Sequence, residues 1–576
     1  MSTNRSSRFI PIIIAVSIVF GILIGTFYAN HFSGNRLNII NTSSNKLNDL
    51  LHIIDDQYVD TVNMADLVEQ AMPLILSELD PHSTYIPAKD LEASNADLKG
   101  SFSGIGVQFT IQNDTIHIND VIQGGPSAKV GIMPGDRIVS VNDTAFTGKK
   151  IVTDYVLRKL KGPKGSKVKL GISRHGESKT LFFTVVRGDI PVKSVDAAYM
   201  LNDKVGYVKI NKFGETTYPE LLIALAELHQ KGFKGLVIDL RDNTGGYMGV
   251  AIQMVNEFLP KNRLIVYTQG RKSPRQEYRS DGRGTSQQIP LVVLVNEGSA
   301  SASEIFAGAI QDNDRGLIIG RRSFGKGLVQ QPMEFRDGSA IRLTIARYYT
   351  PSGRCIQKPY VKGHDEDYEM DIVNRYEHGE FFSKDSIKMD ESNKYKTRIG
   401  RIVYGGGGIM PDIFIPQDTL GFTSYFSQAA NQGLIIQYCF QYTDDNRSKL
   451  RPFVTNESLL KYLKHQNVLE KFASFAEKRG LKRRGFMLRK SSALFERAIY
   501  GNIIYNMLGM ERYVQYLNDS DPVTLKAIDV IEKGEATPQW QAQPASNNAK
   551  KRTALLQKKD SASRDRIYYV SQREFC

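Results

Sequence analysis

A chain of 576 residues is too long for one hydrophobic core, and its 41% hydrophobic and 24% charged residues exclude both a wholly disordered chain and a multi-span membrane protein. The formal net charge of +14 is spread along the chain and concentrates only near residues 478–489 and 550–566. No helix-turn-helix, zinc-finger or aromatic-stacking motif accompanies this charge, so nucleic acid is not an expected partner.

An apolar stretch, residues 9–29, lies near the start of the sequence and follows Arg5 and Arg8. About 20 residues at ~1.5 Å each suffice to cross a bilayer. A cleaved signal peptide is the alternative, but this stretch is long and does not end in the small residues of a cleavage site. The arginines predict that residues 1–8 are cytoplasmic and that the body of a single-pass protein lies outside the cytoplasm.

The next segments differ in pattern. Residues 31–98 carry apolar residues at helical spacing, such as Leu47, Leu50 and Ile54, which predicts a helical N-terminal region. Residues 99–190 change to short strands with glycine and proline turns, which predicts a separate β-rich domain.

This β-rich segment opens with a glycine-flanked loop at residues 104–106, whose backbone could turn several N–H groups towards one anion. The alternative is that the glycines only make a turn. A short helix at 126–131, a turn and strand at 135–142 and an amphipathic helix at 152–160 follow, and this series resembles a PDZ domain. The resemblance implies that a peptide adds as an edge strand and that its C-terminal carboxylate binds at Ser103, Gly104, Ile105 and Gly106.

Residues 191–420 alternate strand and helix patterns, which predicts a mixed α/β domain with the β-rich domain inserted before it. Residues 421–538 are mainly helical and are expected to pack on the core, with self-association as the alternative. Residues 539–576 form a basic tail that is expected to be loosely ordered. The fold class is therefore a multidomain α/β protein with helical N-terminal and C-terminal regions and one transmembrane helix. Cys355, Cys439 and Cys576 do not suggest a disulfide framework or a metal site.

A nucleophile candidate lies where the predicted strand at 291–295 turns into a helix. The sequence S-A-S-A-S-E at residues 299–304 occupies this corner. A serine there is close to the positive end of the helix dipole, which favours a developing oxyanion. The alternative is structural, because Ser301 and Glu304 have the spacing of a capping box.

A base candidate is Lys326, between Gly325 and Gly327. Burial disfavours the charged form of a lysine, and a neutral amine could take a proton from Ser301. Residues 320–326 also fit the phosphate-loop pattern G-x-x-x-x-G-K. Gly327 stands where that pattern needs serine or threonine, however, and residues 328–332 look like a strand rather than a helix.

Four segments together resemble the carboxy-terminal processing peptidases, also called tail-specific proteases: SASASE at 299–304, SFGKGLVQ at 323–330, LRDNTGG at 240–246 and ARYYTPSG at 346–353. The resemblance runs from about residue 37 to 415 and includes residues 79–85, the PDZ-like segment and GGGGIMPD at 405–412. It does not clearly cover residues 421–576.

The resemblance implies roles for individual residues. Ser301 matches the nucleophile, rather than Ser299 or Ser303, and Lys326 matches the general base. The remaining matches are Gln330, which helps to orient the lysine; Asp312, a supporting acidic position; and the oxyanion hole, formed by the N–H groups of Ala302 and of the Gly245-Gly246 turn. Which glycine contributes stays open.

These expectations describe a serine endopeptidase of the bacterial inner membrane that works on the periplasmic or extracytoplasmic side and needs no metal or organic cofactor. Its expected partners are proteins or peptides with exposed C-termini, and a homo-oligomer or an adaptor is possible. One alternative is a Ser-His-Asp triad, although no histidine lies in a convincing motif and His82 is the one that merits a mutational control. The other is a non-catalytic PDZ scaffold or chaperone that binds C-terminal peptides.

Overall fold

The computed structural model describes residues 36–538, apart from 97, 113, 150 and 175, together with residue 19. Except for residue 19, the expected membrane anchor at 9–29 lies outside the described residues, as does the tail at 539–576. No helix within the described part of the chain is long and apolar enough to cross a membrane.

The chain divides into two compact units, residues 1–79 and 80–576. The described part of the first unit contains helices α1 (Arg36–Gln57) and α2 (Met64–Ser77). The side chain of Asn63 caps α2 by accepting hydrogen bonds from the N–H groups of Ala65 and Asp66.

The second unit begins with strand β1 (Thr84–Ile86) and helix α3 (Ala88–Ala96), and then enters the β-rich domain. Strands β2 (Ser101–Gly104) and β9 (Gly188–Pro191) pair antiparallel where the chain enters and leaves this domain. The other elements of the domain are β3 (Val107–Gln112), β4 (Thr115–Val121), α4 (Pro126–Lys129), β5 (Arg137–Val141), β6 (Thr144–Ala145), α5 (Thr153–Leu160), β7 (Lys167–Ser173) and β8 (Leu181–Val186).

Strands of this domain form an antiparallel sheet in the order β3-β4-β5-β7-β8, with β6 beside β5. Buried residues such as Ile116, Ile138, Val156 and Leu170 form its own hydrophobic core. Strand β3 is an edge strand of this sheet, so one side of its backbone is not paired within the sheet.

The α/β domain is built on a sheet in the order β10-β11-β12-β15-β16-β21, in which only the β10–β11 pair is antiparallel. Every residue of β12 and β15 is buried, as is typical of parallel strands covered on both faces. The elements are β10 (Val195–Met200), β11 (Val205–Ile210), α6 (Thr217–Gln230), β12 (Gly235–Asp239), α7 (Met248–Asn256), β15 (Leu291–Val295), α8 (Ala302–Asp312), β16 (Leu317–Gly320) and β21 (Ile413–Phe414).

A second sheet has the order β1-β18-β13-β14, with β17 also paired to β18. It joins the start of the unit to the segment that follows Lys326. The remaining elements of this domain are β13 (Leu264–Gln269), β14 (Gln276–Arg279), β17 (Leu328–Glu334), β18 (Ala340–Tyr349), α9 (Asp365–Glu377), the 3-10 turns Lys384–Ser386 and Glu391–Asn393, β19 (Lys394–Lys396) and β20 (Ile402–Tyr404).

The C-terminal region is helical within the described residues. Its helices are α10 (Ser424–Asn431), α11 (Leu434–Leu450), α12 (Asn456–Leu463), α13 (Val468–Lys478), α14 (Gly485–Lys490), α15 (Ser492–Leu508), α16 (Met510–Asn518) and α17 (Pro522–Glu532). Helices α10 to α15 enclose a core of their own, which includes Phe472 and Phe495.

Both faces of the α/β sheet are covered. Helices α6, α7 and α8 bury one face, with residues such as Leu225, Met254 and Phe306. The opposite face packs against α16 and α17 through residues such as Val514 and Val530. Packing on the core therefore holds for the last two helices, whereas α10 to α15 form a domain beside it. The mixed α/β class and the helical C-terminal region are as the sequence predicts.

Candidate active site

Ser301 lies at the corner between β15 and α8, with φ +56° and ψ −113°. A positive φ is uncommon for a residue other than glycine and is a form of strain that occurs at functional sites. A strand, a sharp turn and a helix follow one another here, so the side chain is presented at the carboxyl end of the sheet.

The two neighbouring serines of the same run differ from Ser301 in their hydrogen bonds and burial. The Ser299 hydroxyl donates to the carbonyl oxygen of Leu240 at 2.8 Å, and the Ser303 hydroxyl donates to that of Asn243 at 2.8 Å. Both residues are fully buried, whereas Ser301 is only partly buried and lines a cleft of about 140 Å³. Ser299 and Ser303 therefore hold the corner in place, and Ser301 is the serine of the run that a substrate can reach.

The glycine turn after β12 packs directly against this corner. A Cβ atom at Gly245 would lie 2.7 Å from Cβ of Ser301, and one at Gly246 would lie 2.3 Å from the carbonyl oxygen of Phe213. Their φ angles are +104° and +145°. Only glycine fits at either position, because a side chain would collide with the backbone and the conformation is strained for other residues.

The cleft beside Ser301 is mostly apolar. Backbone and side chains of the glycine turn, α7, α8, β17 and β18 enclose it. Its lining residues are Gly246, Tyr247, Met248, Ser301, Ile305, Leu328, Val329, Gln330 and Tyr348.

Lys326 lies in the loop between β16 and β17 and is partly buried. Its Nζ donates to Oε1 of Gln330 at 3.1 Å. Burial lowers the pKa of Lys326, and the charge of Arg342 lowers it further, whereas Asp80 and Glu304 raise it. Within the described residues no hydrogen bond joins Nζ to Ser301. Gln330, which accepts from Nζ, lines the same cleft as Ser301.

Gln330 is held from its other end, because its Nε2 donates to the carbonyl oxygen of His82. Asp80 organises that turn by accepting from the N–H groups of His82 and Ser83, and from the hydroxyl of Thr344. The segment at residues 80–83 thus positions the glutamine through its backbone.

The His82 ring contacts Tyr368. Its Nε2 lies 2.9 Å from the hydroxyl oxygen of Tyr368. Burial, together with the nearby charge of Lys326, lowers the pKa of His82 to about 4, so the ring is neutral at physiological pH. These contacts disfavour the triad in which His82 would be the base.

Glu304 is a site residue whose contacts with the lysine loop the sequence pattern does not reveal. Its carboxylate accepts hydrogen bonds from the N–H of Ser301 (2.9 Å), the N–H of Lys326 (2.8 Å), the N–H of Gly325 (2.7 Å) and the hydroxyl of Ser323 (2.5 Å). The capping-box spacing predicts the bond to Ser301 but not the three bonds to the lysine loop. Glu304 therefore ties the serine corner to the lysine loop.

Glu304 is fully buried. Burial raises the pKa of its carboxyl group to about 7, although the hydrogen bonds that it accepts oppose this rise. Tyr348 adds a second tie, because its hydroxyl lies within hydrogen-bond distance of the carbonyl oxygens of Ser301 (3.1 Å) and Lys326.

Asp312 lies at the far end of α8, an 11-residue helix, so about 15 Å of helix separates it from Ser301. It forms a fully buried ion pair with Arg354 at 2.8 Å and accepts from the N–H of Ser352 at 3.1 Å. Its support is structural, since it holds the turn at residues 350–354.

The phosphate-loop alternative is wrong on local structure. Lys326 is followed by strand β17, so the loop does not lead into the helix whose N-terminus the phosphate-loop pattern requires. Across the described ranges, no group of three or more His, Cys, Asp or Glu side chains is arranged to hold a metal ion.

Comparison with known proteins identifies the family. Residues 204–370 match the model for peptidase family S41, and residues 103–185 match the PDZ domain. A carboxy-terminal-processing protease of Bartonella bacilliformis is 37% identical over 318 residues, which are 54% of this chain and 72% of that protein. This chain belongs to peptidase family S41. The resemblance drawn from the sequence motifs is thereby confirmed.

A probable CtpA-like serine protease of Staphylococcus aureus is 33% identical over 373 residues, covering 62% of this chain and 74% of that protein. The chain is thus a carboxy-terminal processing serine protease with a PDZ domain, and the prediction of an enzyme is confirmed. Residues 425–509 match a family of unknown function.

Solved structures are also similar to parts of the chain. A photosystem II D1 C-terminal processing protease is 26% identical and covers 65% of this chain and 92% of its own, with a TM-score of 0.34. The PDZ domain of a carboxy-terminal protease from Vibrio cholerae, in complex with a peptide, is 34% identical and covers 16% of this chain and 99% of its own, with a TM-score of 0.15.

Glu304→Gln tests the tie between the two loops. Glutamine keeps the shape but presents an amide NH₂ group to backbone donors, so buried N–H groups lose their acceptor at a cost of about 1–3 kcal/mol. We expect the free energy of unfolding to fall by roughly that amount and peptide hydrolysis to fall strongly, measured by chemical denaturation and by kcat/KM. Glu227→Gln, at an exposed position of α6, should change neither. Parent-like stability and kcat/KM in Glu304→Gln would contradict this role.

Proposed function

We propose that this S41 protein is a membrane-anchored endopeptidase in which Ser301 is the nucleophile and Lys326 the general base. The observation that carries the proposal is the arrangement around the cleft. Ser301 lines it, the hydroxyls of Ser299 and Ser303 are bound to carbonyl oxygens, and Gln330 of the same cleft binds the amine of Lys326.

The lysine acts in its neutral form, which burial favours. A neutral amine can donate one N–H to Oε1 of Gln330 and still accept a proton through its lone pair. In this mechanism the lone pair takes the proton of the Ser301 hydroxyl while Oγ attacks the peptide carbonyl, and the proton then passes to the leaving amine. Water hydrolyses the acyl-enzyme through the same pair.

The oxyanion is stabilised by backbone N–H groups. Ala302 is the first residue of α8, and its N–H finds no backbone acceptor among the described residues. The N–H of Gly245 already donates to Oδ1 of Asn243 at 2.9 Å, whereas Gly246 lines the cleft and its N–H has no backbone acceptor within the described ranges. Gly246 is therefore the donor from the glycine turn, and Gly245 allows the close approach.

The PDZ domain binds the substrate tail beside β3. Ser103 and Gly104 belong to β2 and pair with β9, so the loop itself consists of Ile105 and Gly106. The N–H groups of these two residues find no backbone acceptor within the described part of the chain, and Ser103 Oγ is buried there without a partner. These donors suit a terminal carboxylate, and the open edge of β3 suits an extended peptide.

Residues 9–29 anchor the protein in the bacterial inner membrane, with residues 1–8 in the cytoplasm. The support for this proposal is the length of the apolar stretch and the two arginines that precede it. The peptidase then faces the periplasm or exterior.

Ser301→Ala and Lys326→Ala test the dyad. Each should lower kcat/KM for an unstructured protein with an apolar C-terminus by ~10²–10⁴-fold or more, because nucleophile or base is lost. Intact mass of the products measures cleavage, and circular dichroism checks folding. Ser448→Ala and Lys231→Ala, at exposed positions, are matched controls that should cleave at the parent rate. Parent-like cleavage by either dyad variant would contradict the assignment.

The pH dependence of kcat/KM should reflect the ionisation of Lys326. Only neutral Lys326 is a base, so kcat/KM rises as pH rises through its pKa, which lies below 10.5. Arg342→Gln removes a positive charge that lowers this pKa. The pKa should therefore rise and the acid limb of the profile should move to higher pH. Arg347→Gln, on the same strand but exposed, should leave the profile in place. If the acid limb of the kcat/KM profile does not move in Arg342→Gln, or moves equally in both variants, Lys326 is not the general base.

Removal of residues 2–33 tests the anchor. The full chain should sediment with membranes after lysis and need detergent for release, because about 20 apolar residues remain in the bilayer. The shortened chain should stay in the soluble fraction and keep its peptidase activity. A carbonate wash distinguishes insertion from adhesion, and release of the full chain by that wash would refute the anchor.

A further inference from the structure

The groove beside β3 is not made by the PDZ domain alone. It has a volume of about 590 Å³, within the usual range of ligand sites. Two of its walls are β3 and α5, and the third is the first turn of α11 from the C-terminal helical region. Its lining consists of residues 107–111 with Thr153, Leu157, Gly433, Ile436 and Gln437.

Specific contacts hold α11 in this place. Asp444 of α11 forms an ion pair with Arg137 of β5 at 2.8 Å, and its side chain is only 8% exposed. The ring of Phe440 packs edge-on against His117 of β4, with 5.2 Å between ring centroids. These contacts fix the helix on the PDZ domain rather than leaving it free beside the groove.

A second helix of the same region adds to the docking. The hydroxyl of Tyr505, on α15, donates to Oε1 of Gln108 on β3 at 2.7 Å. A close approach also occurs at Gly135, where a Cβ atom would lie 3.0 Å from Oδ1 of Asp444. The PDZ domain therefore meets the helical region at β3, β4 and β5.

Ile436 is an exposed apolar residue at the groove, as expected of a residue that contacts a bound peptide. Its neighbours Leu434 and Ile435 are buried in the helical core, but Ile436 itself is 54% exposed and faces the groove. Val107, Phe109 and Leu157 provide further apolar surface there, and Gln437 provides an amide. An extended peptide paired with β3 would place alternate side chains against this wall.

We propose that α11 is a specificity wall of the tail-binding groove, so that the region of unknown function selects which C-terminal tails the PDZ domain accepts. This inference rests on the proposed tail binding. The ligand is an extended peptide with a free carboxylate at residues 105–106 and an apolar side chain against Ile436. The helical region thereby takes part in substrate choice as well as in packing.

Peptide binding to the full chain in detergent tests the wall, with Ser301→Ala present in every protein to prevent cleavage. The probe is a dye-labelled ten-residue peptide with apolar last residues and a free carboxylate, and fluorescence anisotropy gives Kd. Ile436→Asp should weaken binding about tenfold, or ~1.4 kcal/mol. Ile436→Lys should shift the preference, within a peptide series, towards an acidic side chain at one position near the tail. Ser448→Asp, exposed on the same helix but away from the groove, should bind like the parent.

Gly106→Val distinguishes loss of tail binding from loss of the specificity wall, because a side chain at φ +75° disturbs the carboxylate loop itself. Loss of binding in Gly106→Val, with parent-like affinity and preference in both Ile436 variants, would overturn the specificity wall and leave tail binding intact. Equal binding by Gly106→Val and the parent, or no binding by the parent, would overturn tail binding and the wall with it. A changed preference in Ile436→Lys, with an unchanged melting curve, supports the wall, since a purely structural role would not alter the order of peptides.

Discussion

Hydrogen bonds from the serine corner and from the lysine loop converge on the buried carboxylate of Glu304. The two loops follow different strands. Besides Glu304, they are joined by the N–H of Phe324, which donates to the carbonyl oxygen of Ser299 at 2.9 Å, and by the hydroxyl of Tyr348. One buried acceptor satisfies their N–H groups together, and an unsatisfied buried donor is costly, so the loops keep a common geometry. The strained backbone of Ser301 is sustained by the same bonds.

Topology places these loops side by side. The glycine turn, the serine corner and the lysine loop follow β12, β15 and β16, which are neighbouring parallel strands whose carboxyl ends meet at one edge of the sheet. This edge is where ligands bind in open α/β sheets. The second sheet closes the site. Its strand β17 carries Gln330 and pairs with β18. Strand β18 also pairs with β1, which follows the turn at Asp80, and the carbonyl oxygen of His82 in that turn accepts from Gln330. Substrate choice is proposed to arise elsewhere, at β3 and α11.

Local patterns were sufficient to predict the corner at Ser301, the loop at Lys326 and the β-rich series of the PDZ domain, because each depends on residues close in sequence. Long-range partners were not predictable. The bonds from Glu304 to the lysine loop and from Gln330 to His82 join residues about 20 and about 250 positions apart. The proposed choice of Gly246 over Gly245 as an oxyanion donor depends on the position of the Asn243 side chain, which accepts from the N–H of Gly245. The contact of α11 with the PDZ groove depends on docking between domains, which periodicity does not describe.

The most direct test of the account is identification of the acylated residue. The full chain would be mixed with an activated ester of a short apolar peptide, quenched in acid during turnover, digested and mapped by mass spectrometry. We expect an added acyl mass on the peptide that contains Ser301, with Ser299 and Ser303 unmodified and no adduct in the Lys326→Ala variant. Acylation of another residue, or rapid turnover in which Ser301 never carries an acyl group, would contradict it.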